Sequence, residues 1–220
     1  MLTIELINNN IPRLQLQDSV SKALQLISDF RVTHLPVISE DIYLGLISEE
    51  DLLDAESEKA PIESLQAHFL HASVNENEHF LNAVNCSNQF DTTVVPVINE
   101  EKELMGVITT PELLKALGGF SGASEIGGII VLEMDRIRFS ISEISRIVES
   151  NDATILHLNT TVHPETGMLT VTIHLNKKEI AAIVATFERY DYDILYYFGN
   201  ENFENEIHSN YRHLMNYLDI

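Results

Sequence analysis

A chain of 220 residues with 13 Lys and Arg against 34 Asp and Glu carries a formal charge of −21, which opposes any sequence-independent grip on nucleic-acid phosphates. No stretch approaches the roughly 20 apolar residues of a membrane span, and Met1–Leu6 lacks a basic region ahead of an apolar core, so no membrane insertion and a cytoplasmic location are expected. Cys86, the only cysteine, permits no internal disulfide and agrees with a reducing compartment.

In chain order, the first pattern is helical, with apolar Val20, Ala23, Leu24 and Ile27 on one face. The strand Leu35-Pro36-Val37-Ile38 follows, then a turn through Glu40-Asp41, then a second strand that Gly45 opens and Leu46-Ile47 continues. Ser48 starts another helix. A proline inside a strand predicts an edge or a strand end, where no ladder hydrogen bond is required.

The same sentence is then written again. A helix carries Phe80, Ala83 and Val84, the strand reads Val95-Pro96-Val97-Ile98, the turn is Asn99-Glu100-Glu101, and Gly106 precedes Val107-Ile108 and Thr109. Pro36 and Pro96 lie 60 residues apart and Gly45 and Gly106 lie 61 apart, so the turn of the second copy is one residue longer. Self-similarity at a fixed period means two copies of one supersecondary unit, each too small to bury much core by itself. Cys86 aligns with Leu26 on the first helix, a core-packing position.

Residues 119–127, Gly-Phe-Ser-Gly-Ala-Ser-Glu-Ile-Gly, are glycine and serine rich and read as a linker. Charge does not change sign across it: residues 1–118 hold 6 basic and 19 acidic side chains, −13, and residues 119–220 hold 7 and 15, −8. Beyond it, Ile129–Met134 reads as a buried strand, and Ser140 with Glu143 opens a helix whose face is Ile141, Ile144, Ile147 and Val148. Alternating strands follow at Thr154–Leu158 and Met168–Leu175, then a helix capped by Asn176 that presents Ile180, Ile183, Val184 and Phe187, then the strand Ile194–Phe198. The order βαββαβ is a ferredoxin-like split βαβ arrangement. Ile207, Tyr211, Leu214 and Leu218 form one stripe of a final helix within 201–220.

Gly-h-h-Ser/Thr-x-x-acid after a Pro-Val strand, present twice in register, resembles a tandem pair of CBS domains, the cystathionine-β-synthase module, with motif 1 over 1–60 and motif 2 over 61–118. Residues 128–200, with the string Gly128–Glu133 and the segment Ser142–Glu149, resemble the ACT domain that follows such a pair in acetoin-utilisation-type regulatory proteins. The fold class expected is α+β, a pair of βαββα units plus a C-terminal ferredoxin-like domain. The resemblance implies a cleft for an adenine nucleotide (AMP, ADP or ATP) or S-adenosylmethionine as a regulatory ligand, with no obligatory cofactor. It also implies a homodimer and a regulated enzyme or transporter.

Carried over residue by residue, the ligand contacts are Thr33, His34, Ser48 and Asp51 in motif 1 and Thr93, Thr109 and Glu112 in motif 2. A carboxylate accepts from two vicinal ribose hydroxyls, and a hydroxyl at a helix start joins free N–H groups that suit an anion. Ser48-x-x-Asp51 and Thr109-x-x-Glu112 have capping-box spacing as well, and Pro111 fits a first helical turn, so capping is the second reading of the same residues. Motif 2 departs from motif 1 in having Glu112 for Asp51 and Val94 for His34, which places the expected ligand in motif 1.

No nucleophile with a base and an orienter is legible, so no catalytic residue is expected. His68, His71 and His79 form the only local histidine cluster, without the partners of a zinc site, and no metal is expected. His157 and His174 fall on alternating strands, either paired or solvent-facing. The expected ACT loop, Asp135–Phe139, lacks the glycine that lets backbone approach an amino acid. Two functional readings stand: a sensor that binds an adenine nucleotide, and a constitutive assembly module with degenerate sites.

Overall fold

The computed structural model describes residues 1–199, and the chain divides into two compact units, Met1–Gly118 and one beginning at Gly119. The stripe expected at Ile207–Leu218 lies outside the described residues.

In the first unit, β1 (Leu14–Gln15), α1 (Val20–Phe30), β2 (His34–Ser39), β3 (Ile42–Ser48) and α2 (Glu49–Leu53) make one copy. The second copy consists of β4 (Val74–Asn75), α3 (Phe80–Phe90), β5 (Val94–Ile98), β6 (Leu104–Thr109) and α4 (Thr110–Phe120). Their sheets run β1-β2-β3 and β4-β5-β6. Each first helix ends on a left-handed non-glycine residue, Arg31 and Asp91. One continuous core joins the copies, with Val20, Ala23 and Ile27 of α1 and Ala83 and Cys86 of α3 packed among Leu35, Val37, Leu46, Val95 and Val97. Neither half could bury that surface by itself.

The prolines are not on edge strands. β2 and β5 are the central strands, but β1 pairs only with Val37 and Ile38, and β4 only with Val97 and Ile98. At Pro36 and Pro96 the two-residue neighbour does not reach, so each proline occupies a local edge within a central strand.

Chain-crossing contacts tie the copies further. The 3-10 turn Thr3–Leu6 belongs in sequence to the first copy, yet the Thr3 N–H donates to the Glu78 carbonyl at 2.9 Å, its hydroxyl to that of Asn75 at 2.5 Å, and the Asn8 N–H to that of Val107 at 2.6 Å. The matching segment before the second copy, Ile62–His68, leads into Leu70, which exchanges both backbone bonds with Leu46. Gly45 and Gly106 permit these approaches: a Cβ on Gly45 would stand 2.8 Å from that of Phe69, and one on Gly106 3.0 Å from the Asn9 Oδ1.

α4 continues to Phe120 and takes the first two residues of the expected linker. The second unit holds β7 (Gly128–Met134), α5 (Ile141–Glu149), β8 (Ile155–Val162), β9 (Leu169–Leu175), α6 (Ala181–Arg189) and β10 (Asp193–Phe198). Their antiparallel order β10-β7-β9-β8 is the ferredoxin-like arrangement. Ile130, Leu132, Val171 and Ile173 meet Ile144, Ile147, Ile183 and Phe187 of the helices in a separate core. Ser140 caps α5 as expected, accepting from the Glu143 N–H at 3.4 Å. Asn176 does not cap α6: it accepts from the Thr154 N–H at 2.8 Å, and buried Ile180 occupies the cap position without a side-chain bond. His157 and His174 are direct cross-strand neighbours. Among the described residues no helix is long and apolar enough to cross a membrane.

Candidate functional site

The residues expected in the cleft gather around the local dyad of the first unit. The Thr33 N–H donates to the Thr93 hydroxyl at 2.9 Å and the Thr93 N–H to the Thr33 hydroxyl at 3.3 Å, with 3.0 Å between the hydroxyls. The Thr33 carbonyl accepts from the Glu49 N–H at 2.9 Å, and the Thr93 carbonyl from the Thr110 N–H at 3.0 Å. Both helix starts are therefore anchored on one reciprocal threonine pair.

In the first copy, Ser48 caps α2 by accepting from the Asp51 N–H at 3.0 Å, and its hydroxyl donates to the Asp51 carboxylate. His68 Nδ1 lies 3.3 Å from the other oxygen of that carboxylate. His34 pairs with Ser48 across the hairpin, and its Nδ1 is 2.8 Å from the Thr33 hydroxyl. Burial lowers the His34 pKa, against the opposing pull of the Asp51 and Asp91 carboxylates. α2 has five residues, and three of them, Glu49, Glu50 and Asp51, put carboxylates in its first turn. That concentration of negative charge repels a phosphate.

The second copy is built differently. The Glu112 carboxylate accepts from the Thr109 N–H at 2.8 Å and the Thr109 hydroxyl at 2.7 Å through one oxygen, and from the Asn8 side-chain amide at 2.6 Å through the other. The longer acid that distinguishes this motif closes a capping contact and receives the crossing N-terminal segment. Beside it lies a cavity of about 180 Å³, walled by Asn8, Asn9, Ile11, Arg13, Pro36 and the β6 residues Leu104, Met105, Gly106 and Val107. Its exposed lining is mostly polar, with the Asn8 and Asn9 amides and one cation, Arg13, set among Ile11, Pro36, Leu104 and Val107.

Neither Asn8, Asn9 nor Arg13 is singled out by the repeated motif, because they precede β1 and belong to the second site only through the chain crossing. The one available signal is an arginine within the chain's scarce basic residues, just before the duplicated unit. The histidine cluster disperses: His68 approaches Asp51, and the His79 ring nitrogen caps α3, 3.5 Å from the Leu81 N. Among the described residues no group of three or more His, Cys, Asp or Glu could hold a metal. Cys86 is buried on α3, and desolvation, then the Glu78 charge, raise its pKa, the reverse of an activated nucleophile.

Residues 4–58 match the family model of the CBS domain, and β4 to α4 repeat that unit. The first unit has the fold of a CBS-domain pair. A crystal structure described as a CBS domain pair/ACT domain protein from Thermotoga maritima is similar at a TM-score of 0.50 and 19% identity, over 55% of this chain and 98% of that one. A structure of CBSX2 in complex with AMP is similar at a TM-score of 0.46 and 19% identity, over 54% and 97%. Homoserine O-acetyltransferase of Methanobrevibacter ruminantium is 22% identical over 119 residues, 53% of this chain. The chain spans about a quarter of that relative's length, 24%.

In the ACT-like second unit, Arg136–Arg138 form a 3-10 turn with Ile137 99% exposed, and Arg138 donates to the Asp191 carbonyl at 2.8 Å. Branched and charged side chains occupy the loop where a glycine would open the backbone to an amino acid.

Proposed function

We propose that this chain is a non-catalytic regulatory protein, that its CBS pair binds an adenine nucleotide of the AMP, ADP or ATP class, and that its ACT-like unit serves as the dimerisation or output module. The cavity beside the second copy carries this reading. Ile11, Pro36, Leu104 and Val107 offer apolar walls to a purine, and Arg13 offers a cation to a phosphate. Thr109 and Glu112 border it through Asn8, so a ribose reaching the carboxylate would replace the asparagine amide. Thr93 and Thr33 lie at the dyad between the two helix starts. His34, Ser48 and Asp51 cluster at the start of α2, where three carboxylates in the first turn disfavour a phosphate.

Thermal denaturation with AMP, ADP, ATP and S-adenosylmethionine at millimolar concentration tests the proposal. A nucleotide at 100 times its Kd stabilises by about 2.7 kcal/mol, and Arg13→Ala is expected to weaken binding roughly 10-fold or more by removing a charged hydrogen bond. Unchanged melting with all four ligands overturns the sensor.

One observation favours the constitutive assembly module instead: both Glu112 oxygens are already engaged by Thr109 and Asn8. Mass spectrometry of the denatured protein separates the two readings, since the module carries no retained ligand. In either case a homodimer is expected. Leu53 and Leu114, at equivalent places on α2 and α4, are 66% and 69% exposed and supply matched apolar contacts for a second copy of the chain. Light scattering at micromolar concentration is expected to give a dimeric mass, reduced to that of a monomer by Leu53→Glu with Leu114→Glu.

A further inference from the structure

The copies differ at one position in a way that bears on how many ligands the pair accepts. Tyr43 and Leu104 are equivalents: each pairs across its hairpin with the equivalent residue, Tyr43 with Ile38 and Leu104 with Ile98. Leu104 forms a wall of the cavity beside the second copy. Tyr43, a side chain longer by a ring and a hydroxyl, reaches across the corresponding space of the first copy and donates to the Ala72 carbonyl at 2.7 Å. The Leu70 carbonyl is a second acceptor at 3.5 Å. Tyr43 is half-buried, and desolvation, then the Cys86 charge, drive its pKa far above the usual phenol range.

The facing segments differ to match. From the Asn8 bridge to Leu14 the chain has five intervening residues, Asn9–Arg13, and from the Leu70 bridge to Val74 only three, His71-Ala72-Ser73. The longer segment lines the cavity through Asn9, Ile11 and Arg13. The shorter one puts its Ala72 carbonyl within reach of the phenol and has serine where the other has Arg13.

Resting on the proposal that the pair binds an adenine nucleotide, we infer that Tyr43 is a built-in occupant of the first copy's cleft, so that each chain takes one nucleotide, in the cavity beside the second copy. Specificity for stoichiometry then lies in a single aromatic side chain. The polar groups near Asp51 are not reached by a base, because the phenol ring already sits in the base's place.

Calorimetric titration of the full chain with AMP tests this on wild type, Tyr43→Phe and Tyr43→Leu, the last copying the residue of the second copy. One site is expected in wild type and in Tyr43→Phe, which keeps the ring, and two in Tyr43→Leu. Two sites in wild type, or one in Tyr43→Leu, overturns the inference and leaves the nucleotide reading intact. No site in wild type with one in Tyr43→Leu supports the plug and removes the second-copy cavity as the binding place. No binding to any of the three removes both. Should Tyr43→Leu fail to fold, Arg13→Ala in the wild-type background decides: AMP binding lost by at least 10-fold supports the single site, and binding retained places the ligand on the first copy and overturns it.

Discussion

The first and second copies of the CBS pair share an element order, a left-handed residue after the first helix, a proline where the short strand fails to reach, and a glycine under a crossing segment. They part company in their polar ends. The first gathers Glu49, Glu50 and Asp51 on a five-residue helix and fills its cleft with Tyr43. The second spends one carboxylate on Thr109 and Asn8 and leaves an open cavity beside Arg13. Duplication thus preserved the parts that carry packing, and the copies diverged where packing does not dictate the side chain. Resemblance of a motif to a ligand-binding consensus is therefore a weaker guide than the space beside it.

The largest effect expected within this comparison concerns the crossings. Gly45→Ala places a Cβ 2.8 Å from that of Phe69, an atom fixed to backbone, whereas Gly106→Ala meets first the movable Asn9 side chain at 3.0 Å. Overpacking should cost about 1–3 kcal/mol at Gly45 and less than about 1 kcal/mol at Gly106. Urea unfolding of both variants measures it, and equal losses would show that the two crossings are equally tight.

Next come the acids. Glu112→Ala strips partners from the Thr109 N–H, the Thr109 hydroxyl and the Asn8 amide at once, a loss of about 1–2 kcal/mol. Asp51→Ala leaves Ser48 in place as the backbone cap of α2, and about 0.5 kcal/mol or less is expected. The reverse order of midpoints would mean that His68 and Asp51 form the stronger structural contact.

The smallest effect is one of pH. Burial, opposed by Asp51 and Asp91, holds the His34 pKa below its ordinary 6.5, so the folded state resists protonation that the unfolded chain accepts. Its contribution is present in full above about pH 6.5 and declines as pH falls below. His34→Val, which copies Val94 of the second copy, is expected to flatten the loss of stability between pH 7 and pH 5. A slope unchanged by the substitution would place the titration elsewhere.

Much of this fold is legible in the residues because the repeat announces itself twice. Val20, Ala23 and Ile27, and again Phe80 and Ala83, occupy the buried faces that their spacing requires, and the strand order of the second unit is the one that the element order βαββαβ implies. The edge expected for Pro36 is local to one residue, because sequence does not show that β1 stops after two residues. The cap expected at Asn176 fails because a backbone N–H from β8 claims that side chain. Of the proposed site, the proximity of Thr33, His34, Ser48 and Asp51, and of Thr93, Thr109 and Glu112, follows from the repeated hairpin and helix start. Asn8, Arg13 and Tyr43 escaped because their roles arise from a segment crossing to the other copy, a relation with no local period.

That crossing also sets a timetable for synthesis. Thr3 and Asn8 leave the ribosome well before their partners Asn75, Glu78, Val107 and Glu112, the last two of which lie near the end of this unit. Their segment must wait, unpaired, until almost the whole unit has been translated, and it docks as one of the final events of folding. The first copy cannot be completed without the segment 62–70 that follows it, nor the second without the segment Thr3–Asn8 that precedes β1. Cutting the gene between the copies would therefore yield two fragments that each lack a piece carried by the other, and mixing them in solution would be expected to restore what neither holds alone.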